Sequence, residues 1–588
     1  MATGARVLVL DGDKVPALDI VRSLGRTGVA VTVGAAREDA IAFHSRFASA
    51  RDIYPDPALD PAVFIEWLEG RILRDRYELV IPVTDLTVIP ISRSFDRLKR
   101  LCALATESFD KLEIVCDKSQ TLDVARRVGV PIPATVVVYH EDEVDAHAER
   151  LRFPVVCKPM ASSVWASSGY VHLPVFYALD RHELRREVVK RLAACPVMLQ
   201  EYRPGTGVGV EVLARRGEIL QAFQHERLHE LPLTGGGSTY RVSTPVDPVL
   251  REHARRLLAA VGWTGVAMVE FKVDRETGDA TLMEINGRFW GSLALSSRAG
   301  MSFATDLHEM LTRGTTPPAR AYVSGVRCRK LRDDVEWFKE SVKLDARHRM
   351  VAAGLLQKTS RVALLGDLAR VFSPMERYDV QMLADPIPGL VDLRDTAVVQ
   401  LAALRRKAAG VWRNARSRWY RMRHAPRLMK RAGGADKLLF VCYGNIMRSP
   451  FASAYLHSRA AGQRRRVEAT SAGLYERTGR FADDRAIAAG RQWGVDLSSH
   501  RSKTLDQRLV EWADLILVMD RPNLAGVRTR YPAAAGKTYL LGSFDAEGEP
   551  DIEIPDPSDG PYEAAESAYG RIAGAIDRLV ATPSGSAQ

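Results

Sequence analysis

The sequence predicts a multidomain α/β protein with a doubly wound parallel sheet near each end of the chain. Three observations lead to this prediction. The chain has 588 residues, enough for roughly three or four domains of ordinary size. About the first hundred residues alternate short apolar runs with amphipathic segments, which is the pattern of βαβ units. The same alternation returns near Leu438, after a long basic segment with helical patterning.

Composition is typical of packed globular proteins of a reducing compartment. Apolar residues make up 46% of the sequence, which is ample for several cores. Six cysteines give no disulfide framework, and because no pair has CxxC spacing a zinc site is not expected. Met1–Asp13 lacks the pattern of a signal peptide, and no stretch has the apolar length of a membrane span. We therefore expect a cytoplasmic protein.

Residues 1–110 form the first predicted domain. Arg6–Leu10 and Val29–Val33 have the apolar pattern of buried strands, with a helix between them over Ala17–Gly25. Leu79–Val83 is a further strand. Right-handed βαβ crossovers then give a small doubly wound sheet. The first turn lacks the GxGxxG pattern, so no dinucleotide site is predicted.

Residues 111–315 carry charged groups at the ends of predicted elements. Lys118 lies at the start of a helix and Lys158 at the end of a strand, and the Ser-rich segment 161–169 follows directly. Two lysines on separate elements can neutralise nucleotide phosphates, and a flexible loop can close over them. Glu201 ends the next predicted strand.

Three oxygen donors follow on two neighbouring strands. Glu284 and Asn286 are two residues apart, so they face the same side of one strand, and Glu270 comes from the other. Hard oxygen ligands suit Mg²⁺, whose octahedron is completed by phosphate oxygens. This layout predicts a magnesium–nucleotide site.

These residues occur in an order typical of one superfamily. Residues 1–315 resemble the ATP-grasp superfamily, in its carboxylate–amine ligase branch. The resemblance implies that Lys118 and Lys158 hold ATP phosphates and that Glu201 lies at the adenine hinge. The resemblance also implies that Glu270, Glu284 and Asn286 bind Mg²⁺. It implies further that Arg288 faces the transferred phosphate or the acyl phosphate.

The segment 226–241 is a candidate substrate loop. The three glycines Gly235–Gly237 permit a mobile lid, and Arg227 and Arg241 can hold a carboxylate or a phosphate. A solvated β-hairpin with ordinary surface arginines explains the same residues about equally well.

Residues 316–436 are predicted to be mainly helical. Asp333–Leu390 carries no motif, and Asp385–Pro388 is expected to close it as an extended turn. The segment 401–431 contains eleven Lys/Arg and no Asp/Glu, which equals the net charge of +11 of the whole chain. The basicity is therefore local, and a nucleic-acid-binding function of the whole protein is not indicated.

The basic segment is predicted to be an amphipathic helix that ends at Pro426 and Gly433–Gly434. Apolar residues recur in it at roughly heptad spacing, with arginines on the other faces. These apolar residues are Leu401, Leu404, Ala408, Ala415, Trp419 and Met422, with Trp412 beside them. The favoured interpretation is an inter-domain helix packed by its tryptophans. The alternatives are a helix lying on anionic lipid at the inner membrane face and, third, nucleic-acid binding.

The loop from Cys442 to Arg448 has the pattern of an oxyanion cradle. It joins the predicted strand Leu438–Val441 to a helix over Ser449–Ala461, with Pro450 in its first turn. Backbone N–H groups aimed inward hold an oxyanion with help from the helix dipole, and they favour the thiolate form of the cysteine. The arginine can hold two phosphate oxygens as a bidentate fork.

Two other loop residues have expected roles. Ser449 is placed to donate a hydrogen bond to the sulfur, and Asn445 to tie the substrate-binding loop back on itself. With its strand and helix, the loop resembles the signature loop of the low-molecular-weight protein tyrosine phosphatases. The resemblance covers about 437–582. It implies that Cys442 attacks phosphorus and that Asp556, which precedes a proline, is the general acid.

Three positions depart from that family's pattern. Met447 stands where a second cysteine often lies, Ser558 replaces an aromatic residue after the Asp-Pro pair, and the tryptophan expected after Ser-Ala-Gly is missing. The two absent aromatics are the walls that clasp a phosphotyrosine ring. Phosphate-ester hydrolysis is still expected, with Tyr443 and Tyr475 as partial replacements for the walls.

The sequence thus predicts a bifunctional enzyme that uses ATP and Mg²⁺. Its ligase half joins a small-molecule carboxylate to an amine through an acyl phosphate, and its phosphatase half hydrolyses a phosphomonoester or phosphoprotein. The alternatives are a tyrosine phosphatase with a nucleotide-sensing scaffold and a membrane-recruited adaptor. The predicted domains are 1–110, 111–315, 316–436 and 437–582.

Overall fold

The computed structural model describes residues 6–159, 163–166, 169–172, 175–192, 194–345, 348–460, 467–544, 551–558, 560 and 562–581. The chain forms two compact units, Met1–Val398 and Val399–Gln588. Each unit has its own sheets and its own buried apolar clusters.

The first sheet of the N-terminal unit has five parallel strands in the order β3-β2-β1-β4-β5. The strands are β1 (Arg6–Val9), β2 (Ala30–Ala35), β3 (Ala50–Ile53), β4 (Leu79–Ile81) and β5 (Ala103–Leu104). The helices are α1 (Val15–Arg26), α2 (Pro61–Asp75), α3 (Asp85–Arg93), α4 (Phe95–Leu98), α5 (Phe109–Cys116) and α6 (Lys118–Arg127). A short 3-10 helix spans Ile41–His44. Val7–Val9 of the central strand β1 and all of β4 are buried, as expected for a parallel sheet covered on both faces.

The second sheet is antiparallel, in the order β10-β7-β11-β6, and a separate hairpin pairs β8 with β9. The strands are β6 (Thr135–Val138), β7 (Val155–Pro159), β8 (Ser163–Ala166), β9 (Gly169–His172), β10 (Phe176–Ala178) and β11 (Val197–Glu201). The helices are α7 (Glu143–Ala148) and α8 (Arg181–Leu192). The predicted Ser-rich loop over 161–169 is therefore partly a strand, and its residues 161–162 and 167–168 lie outside the described residues.

The third sheet has seven strands in the order β16-β15-β12-β13-β14-β17-β18, antiparallel except for the last pair. The strands are β12 (Thr206–Arg215), β13 (Glu218–Leu231), β14 (Gly237–Thr244), β15 (Gly265–Val273), β16 (Ala280–Asn286), β17 (Arg327–Arg329) and β18 (Arg377–Tyr378). The helices are α9 (Pro248–Val261), α10 (Leu293–Arg298), α11 (Phe303–Arg313), α12 (Leu331–Lys343), α13 (Arg349–Ala352) and α14 (Arg361–Arg370).

A single helix, α15 (Pro386–Gly434), follows. The expected extended turn at Asp385–Pro388 is wrong, because Pro386 and Pro388 lie in the first turn of this helix, where a missing N–H costs no hydrogen bond. The expected end at Pro426 is also wrong, since the helix continues through that proline to Gly434.

The C-terminal unit has a four-stranded parallel sheet in the order β20-β19-β21-β22. The strands are β19 (Lys437–Cys442), β20 (Glu468–Gly473), β21 (Leu515–Val518) and β22 (Thr538–Leu540). The helices are α16 (Arg448–Ala460), α17 (Asp484–Arg491), α18 (Gln507–Trp512), α19 (Arg521–Arg530) and α20 (Tyr562–Ala581). Two 3-10 helices span Pro532–Lys537 and Leu541–Phe544. The predicted multidomain α/β fold class, with parallel sheets in both units, is confirmed.

Across the described ranges, we find no helix whose length and hydropathy would let it cross a lipid bilayer.

A buried ion pair joins α1 to the residue before α15. Arg22 Nε donates to Asp385 Oδ2 over 2.9 Å, and each side chain is only 1% exposed. Burial disfavours the charged carboxylate, but hydrogen bonds from the Arg46 N–H, Arg22 and Ser45 outweigh burial and lower the pKa of Asp385. A buried cation whose partner is removed is left without compensation.

We predict that Asp385→Ala lowers the free energy of unfolding of the N-terminal unit by about 3–5 kcal/mol, because Arg22 stays buried without its carboxylate partner and keeps only backbone carbonyls as acceptors. Urea-induced unfolding of the two chains measures the difference. Asp39→Ala is the control, since it removes a carboxylate from the exposed Arg37–Asp39 pair and changes stability little. Equal stabilities of the two variants would contradict the prediction.

Candidate active sites

A cavity of about 500 Å³ in the N-terminal unit gathers most of the predicted ligase residues. They reach it from α6, from the antiparallel sheet and from neighbouring strands of the seven-stranded sheet. The predicted residues that line it are Lys118, Lys158, Glu201, Arg227, Glu270, Glu284, Asn286 and Arg288. Residues far apart in sequence thus face one space.

Two carboxylates lie side by side in this cavity. Glu270 on β15 and Glu284 on β16 are directly opposite in the antiparallel register. The Asn286 Nδ2 group donates to both, over 3.2 and 3.3 Å. Burial raises the pKa of Glu270, as does the adjacent Glu284, while Arg227 opposes the rise. The two carboxylates and the Asn286 amide therefore meet at one point.

Lysines surround the second carboxylate. Burial would raise the pKa of Glu284, but the charges of Lys118 and Lys158 outweigh burial and lower it. Lys158, on β7, donates to Gln200 Oε1 over 2.7 Å. Burial lowers the pKa of Lys158 to about 8. Lys118 is the first residue of α6, whose N-cap is Asp117.

Arg288 is held by a carboxylate that sequence reasoning missed. Its Nε donates to Asp85 Oδ1 over 2.7 Å and its second nitrogen to Asp85 Oδ2 over 3.2 Å. Asp85 begins α3, close after the parallel strand β4. The sequence signal that could have revealed Asp85 is its position just beyond the carboxyl end of a parallel strand.

The two arginines of the candidate substrate loop have different surroundings. Arg227 lines the cavity, contacts Glu270, and lies 3.1 Å from Glu230 Oε1. Arg241 is fully buried, pairs with Asp379, and is not among the lining residues. The expectation that Arg241 binds substrate is therefore corrected. Its strand turns this side chain into the interior, where a buried charge needs a partner.

The C-terminal unit has a second cavity, of about 360 Å³, at the carboxyl end of β19. Cys442 ends that strand, lines the cavity and is 3% exposed. Its sulfur accepts the Asn445 N–H over 3.2 Å and lies 3.0 Å from Ser449 Oγ. The loop therefore aims a backbone amide and a hydroxyl at the sulfur.

Asn445 fixes the shape of this loop. Its φ is 51°, in the left-handed region that Asn tolerates better than most residues. Its Nδ2 donates to Ser449 Oγ and to Ser471 Oγ, and its Oδ1 accepts the Lys503 N–H over 2.7 Å. The side chain is fully buried and is not among the residues lining the cavity. It positions the substrate-binding loop and makes no direct contribution to the cavity wall.

Arg448 begins α16 and is held from two sides. It donates to Asp520 Oδ2 over 2.7 Å and to the Ile554 carbonyl over 2.9 Å, and it contacts Asp556. Arg448 and Asp556 both line the cavity. Asp520 was missed as a site residue. It is also the N-cap of α19, where it accepts the Asn523 N–H.

The C-terminal unit matches a known protein family. Residues 437–582 match the family model described as "Low molecular weight phosphotyrosine protein phosphatase". The chain is 36% identical over 143 residues to the "Probable low molecular weight protein-tyrosine-phosphatase EpsP" of Ralstonia nicotianae, covering 24% of this chain and 92% of that protein.

The chain belongs to the low-molecular-weight protein tyrosine phosphatase family. The match lies in the C-terminal unit, so this phosphatase domain is one part of a larger chain. A "Protein-arginine-phosphatase" of Geobacillus stearothermophilus is 34% identical over 143 residues, which is 24% of this chain and 93% of that protein.

The N-terminal unit carries an ATP-grasp domain. Residues 194–333 match the family model "ATP-grasp in the biosynthetic pathway with Ter operon". A crystal structure of N5-carboxyaminoimidazole synthetase from Staphylococcus aureus is 14% identical, with a TM-score of 0.46, and covers 58% of this chain and 87% of that chain. The two family models thus identify an ATP-grasp domain and a phosphatase domain in one chain.

Two tyrosines form a wall of the phosphatase cavity. Tyr443 and Tyr475 both line it, with ring centroids 5.7 Å apart. The Arg480 guanidinium lies 4.7 Å from the Tyr475 ring centroid and donates to the Gly444 carbonyl. Ser558 also lines the cavity and supplies no ring. Arg480 was not predicted, because nothing in its local sequence signals that it folds back onto the loop.

We predict that Gly473→Ala impairs the phosphatase domain. A Cβ atom there would lie 2.8 Å from the Tyr443 carbonyl oxygen and 3.0 Å from Asn445 Cβ, so the loop would have to move. A shift of this kind at a catalytic loop reduces kcat/KM by about tenfold or more, measured with p-nitrophenyl phosphate. Gly536→Ala is the control, because a Cβ atom there meets nothing within 4 Å. Unchanged kcat/KM in Gly473→Ala would show that the loop tolerates the contact.

Proposed function

We propose that this protein is a bifunctional enzyme. Its ATP-grasp domain joins a carboxylate to an amine at the expense of ATP, and its phosphatase domain hydrolyses a phosphomonoester through a cysteinyl phosphate. The observation that carries the proposal is that each unit has its own cavity, lined by the residues to which we assign the reaction. The first contains the Glu270–Glu284 pair beside two lysines, and the second contains Cys442 beside Arg448 and Asp556.

In the ligase reaction a substrate carboxylate oxygen attacks the γ-phosphorus of ATP. ADP leaves and an acyl phosphate forms. The amine nitrogen then attacks the acyl carbon, the C–O bond to phosphate breaks, and inorganic phosphate leaves with the amide formed. Lys118 and Lys158 would stabilise the phosphate charge, and Glu201 would contact the adenine. Arg288, whose guanidinium is held by Asp85, would face the transferred phosphate.

Magnesium fits the donor set of the first cavity. Asn286 holds Glu270 and Glu284 at one point, and carboxylate and amide oxygens with phosphate oxygens suit the octahedral geometry of Mg²⁺. In the described parts of the chain, no cluster of three or more His, Cys, Asp or Glu residues forms a metal site, so phosphates would supply most remaining ligands. Bound magnesium neutralises charge on the phosphates.

In the phosphatase reaction the Cys442 thiolate attacks phosphorus, and the bond from phosphorus to the leaving oxygen breaks. Arg448 and the loop amides hold the three equatorial oxygens. Asp556 gives its proton to the leaving oxygen. Water then attacks the cysteinyl phosphate, Asp556 accepts its proton, and the thiolate is regenerated with release of phosphate. Arg448 contacts Asp556 in this structure. A substrate phosphate would replace Asp556 as the partner of Arg448.

The two tyrosines of the phosphatase cavity support a flat aromatic substrate. Tyr443 and Tyr475 are 56% and 40% exposed and can flank a ring at the cavity mouth. A phosphotyrosine-containing protein or an aryl phosphate is therefore the substrate class we favour. The Ralstonia relative is named as a probable tyrosine phosphatase and the Geobacillus relative as an arginine phosphatase.

A second candidate function is a tyrosine phosphatase whose ATP-grasp domain only senses nucleotide. The intact Glu270, Glu284, Asn286 and lysine set favours a working ligase over this alternative. ADP release in a panel of carboxylates and amines, assayed with the Cys442→Ser chain so that phosphorylated products persist, separates them. ADP release that depends on an amine supports the ligase. ATP binding without any turnover supports the sensor.

We predict that Glu284→Gln removes ATP turnover and leaves the phosphatase domain unchanged, because it removes one carboxylate from the proposed magnesium site. ADP release and p-nitrophenyl phosphate hydrolysis are measured on the same preparation. Glu252→Gln, which alters an exposed glutamate on α9, is the control and should retain both activities. A Glu284→Gln chain with wild-type ADP release would refute the assignment of this residue.

We predict that Asp556→Asn slows hydrolysis of phenyl phosphate by about a hundredfold and of p-nitrophenyl phosphate much less, because a poor leaving group needs the proton more. Cys442→Ser should abolish both reactions and sets the background. Asp577→Asn is a matched control, since its side chain is 41% exposed against 42% for Asp556 and it pairs with Arg459 outside the cavity. An equal loss with both substrates would exclude the role of Asp556 as general acid.

A further inference from the structure

The C-terminal part of α15 packs on the phosphatase domain through one face. Its most apolar residues lie on a different face. Tyr420 joins the buried cluster of Leu439 and Val441, and Leu428 joins the cluster around Phe440. Ser417 on the same side is also fully buried. The expectation that the helix is packed by its tryptophans is therefore wrong.

The opposite side of this helix carries an exposed apolar stripe. Trp412 is 77% exposed, Trp419 55% and Met422 73%. With 3.6 residues per turn, positions spaced three and four apart share one face of a helix. The exposed apolar members of the stripe are Leu401, Leu404, Val411, Trp412, Trp419 and Met422.

Basic residues border the stripe along its length. On one side lie Arg405, Arg416 and Arg423, and the Arg423 guanidinium is 5.4 Å from the Trp419 ring centroid. Lys407 and Arg418 lie on the other side. The segment 401–431 has eleven Lys/Arg and no Asp/Glu. An apolar stripe flanked by cations is the arrangement of a helix that lies in a membrane surface.

We propose that the exposed face of residues 401–422 docks on an anionic lipid bilayer. The tryptophans and aliphatic side chains would enter the boundary between headgroups and acyl chains, and the flanking arginines would meet lipid phosphates. The docking holds the protein at the surface without crossing the bilayer. It goes beyond both proposed activities and depends on neither of them.

The apolar stripe is what favours lipid over nucleic acid. A nucleic-acid site needs cations toward the phosphates, and it gains nothing from a run of exposed Leu, Val and Met side chains along the same face. A bilayer uses both the cations and the apolar side chains. Charge complementarity and the composition of the stripe therefore point to the same occupant.

Co-sedimentation of the full chain with vesicles tests the proposal. We expect binding to vesicles of equal parts phosphatidylcholine and phosphatidylglycerol, weak binding to phosphatidylcholine alone, and weakening by salt. Trp412→Ser/Trp419→Ser should bind at least about tenfold more weakly. Arg405→Glu/Arg416→Glu/Arg423→Glu should lose a similar amount or more. p-Nitrophenyl phosphate hydrolysis should stay at the wild-type rate in each variant, which verifies that the phosphatase domain is folded.

The matched control replaces two apolar residues outside α15 that are more exposed than the two tryptophans. Val362 and Phe372 are 81% and 83% exposed, and Val362→Ser/Phe372→Ser should bind vesicles like the wild type. The proposal is overturned if anionic vesicles do not bind the chain, or if the double tryptophan variant binds them as tightly as the wild type. It is equally overturned if duplex DNA binds more tightly than the vesicles, or if the tryptophans instead mediate dimerisation in sedimentation velocity.

Discussion

Both catalytic cavities depend on balancing charges that are buried away from water. In the ATP-grasp domain Glu270 and Glu284 lie side by side, and they are held there by Lys118, Lys158 and Arg227. In the phosphatase domain the signs are reversed, because the buried Arg448 is held by carboxylates. An isolated buried charge is unfavourable by many kcal/mol, so each cavity has a set of ions that stabilise one another. In the proposed reactions, a phosphate-bearing substrate would replace one of these partners.

Several of the predicted site residues lie at or near the ends of strands. Lys158 is the last residue but one of β7, Glu201 ends β11 and Cys442 ends β19, so the local apolar pattern fixes where each side chain emerges. Asp85 and Asp520 were not predicted as site residues because their partners are 203 and 72 residues away in sequence. The position of Asp85 just beyond a parallel strand is a local signal for a site, but it does not identify Arg288 as the partner. Most of the fold could be predicted because the sequence signals strands and helices locally.

The errors arose where the sequence does not say which side of an element faces the interior. Arg241 was predicted with Arg227 as a substrate residue, yet it is buried beside Asp379 while Arg227 lines the cavity. In the basic helix the apolar period was correct, but the packed face includes the buried Ser417 and Tyr420. Tyr420 packs there against Leu439 and Val441 of the neighbouring sheet. The hydrophobicity of the helix alone predicted the wrong face.

The residue before Arg448 in sequence has a consequence for oxidation of Cys442. Met447 supplies a thioether there, and the other five cysteines of the chain, all between Cys102 and Cys328, belong to the N-terminal unit. A sulfenic acid formed at Cys442 therefore has no second thiol in its own unit to trap it as a reversible bond. Repair then depends on a reductant from outside that unit, such as a small-molecule thiol, and without one the oxidation continues to irreversible acids.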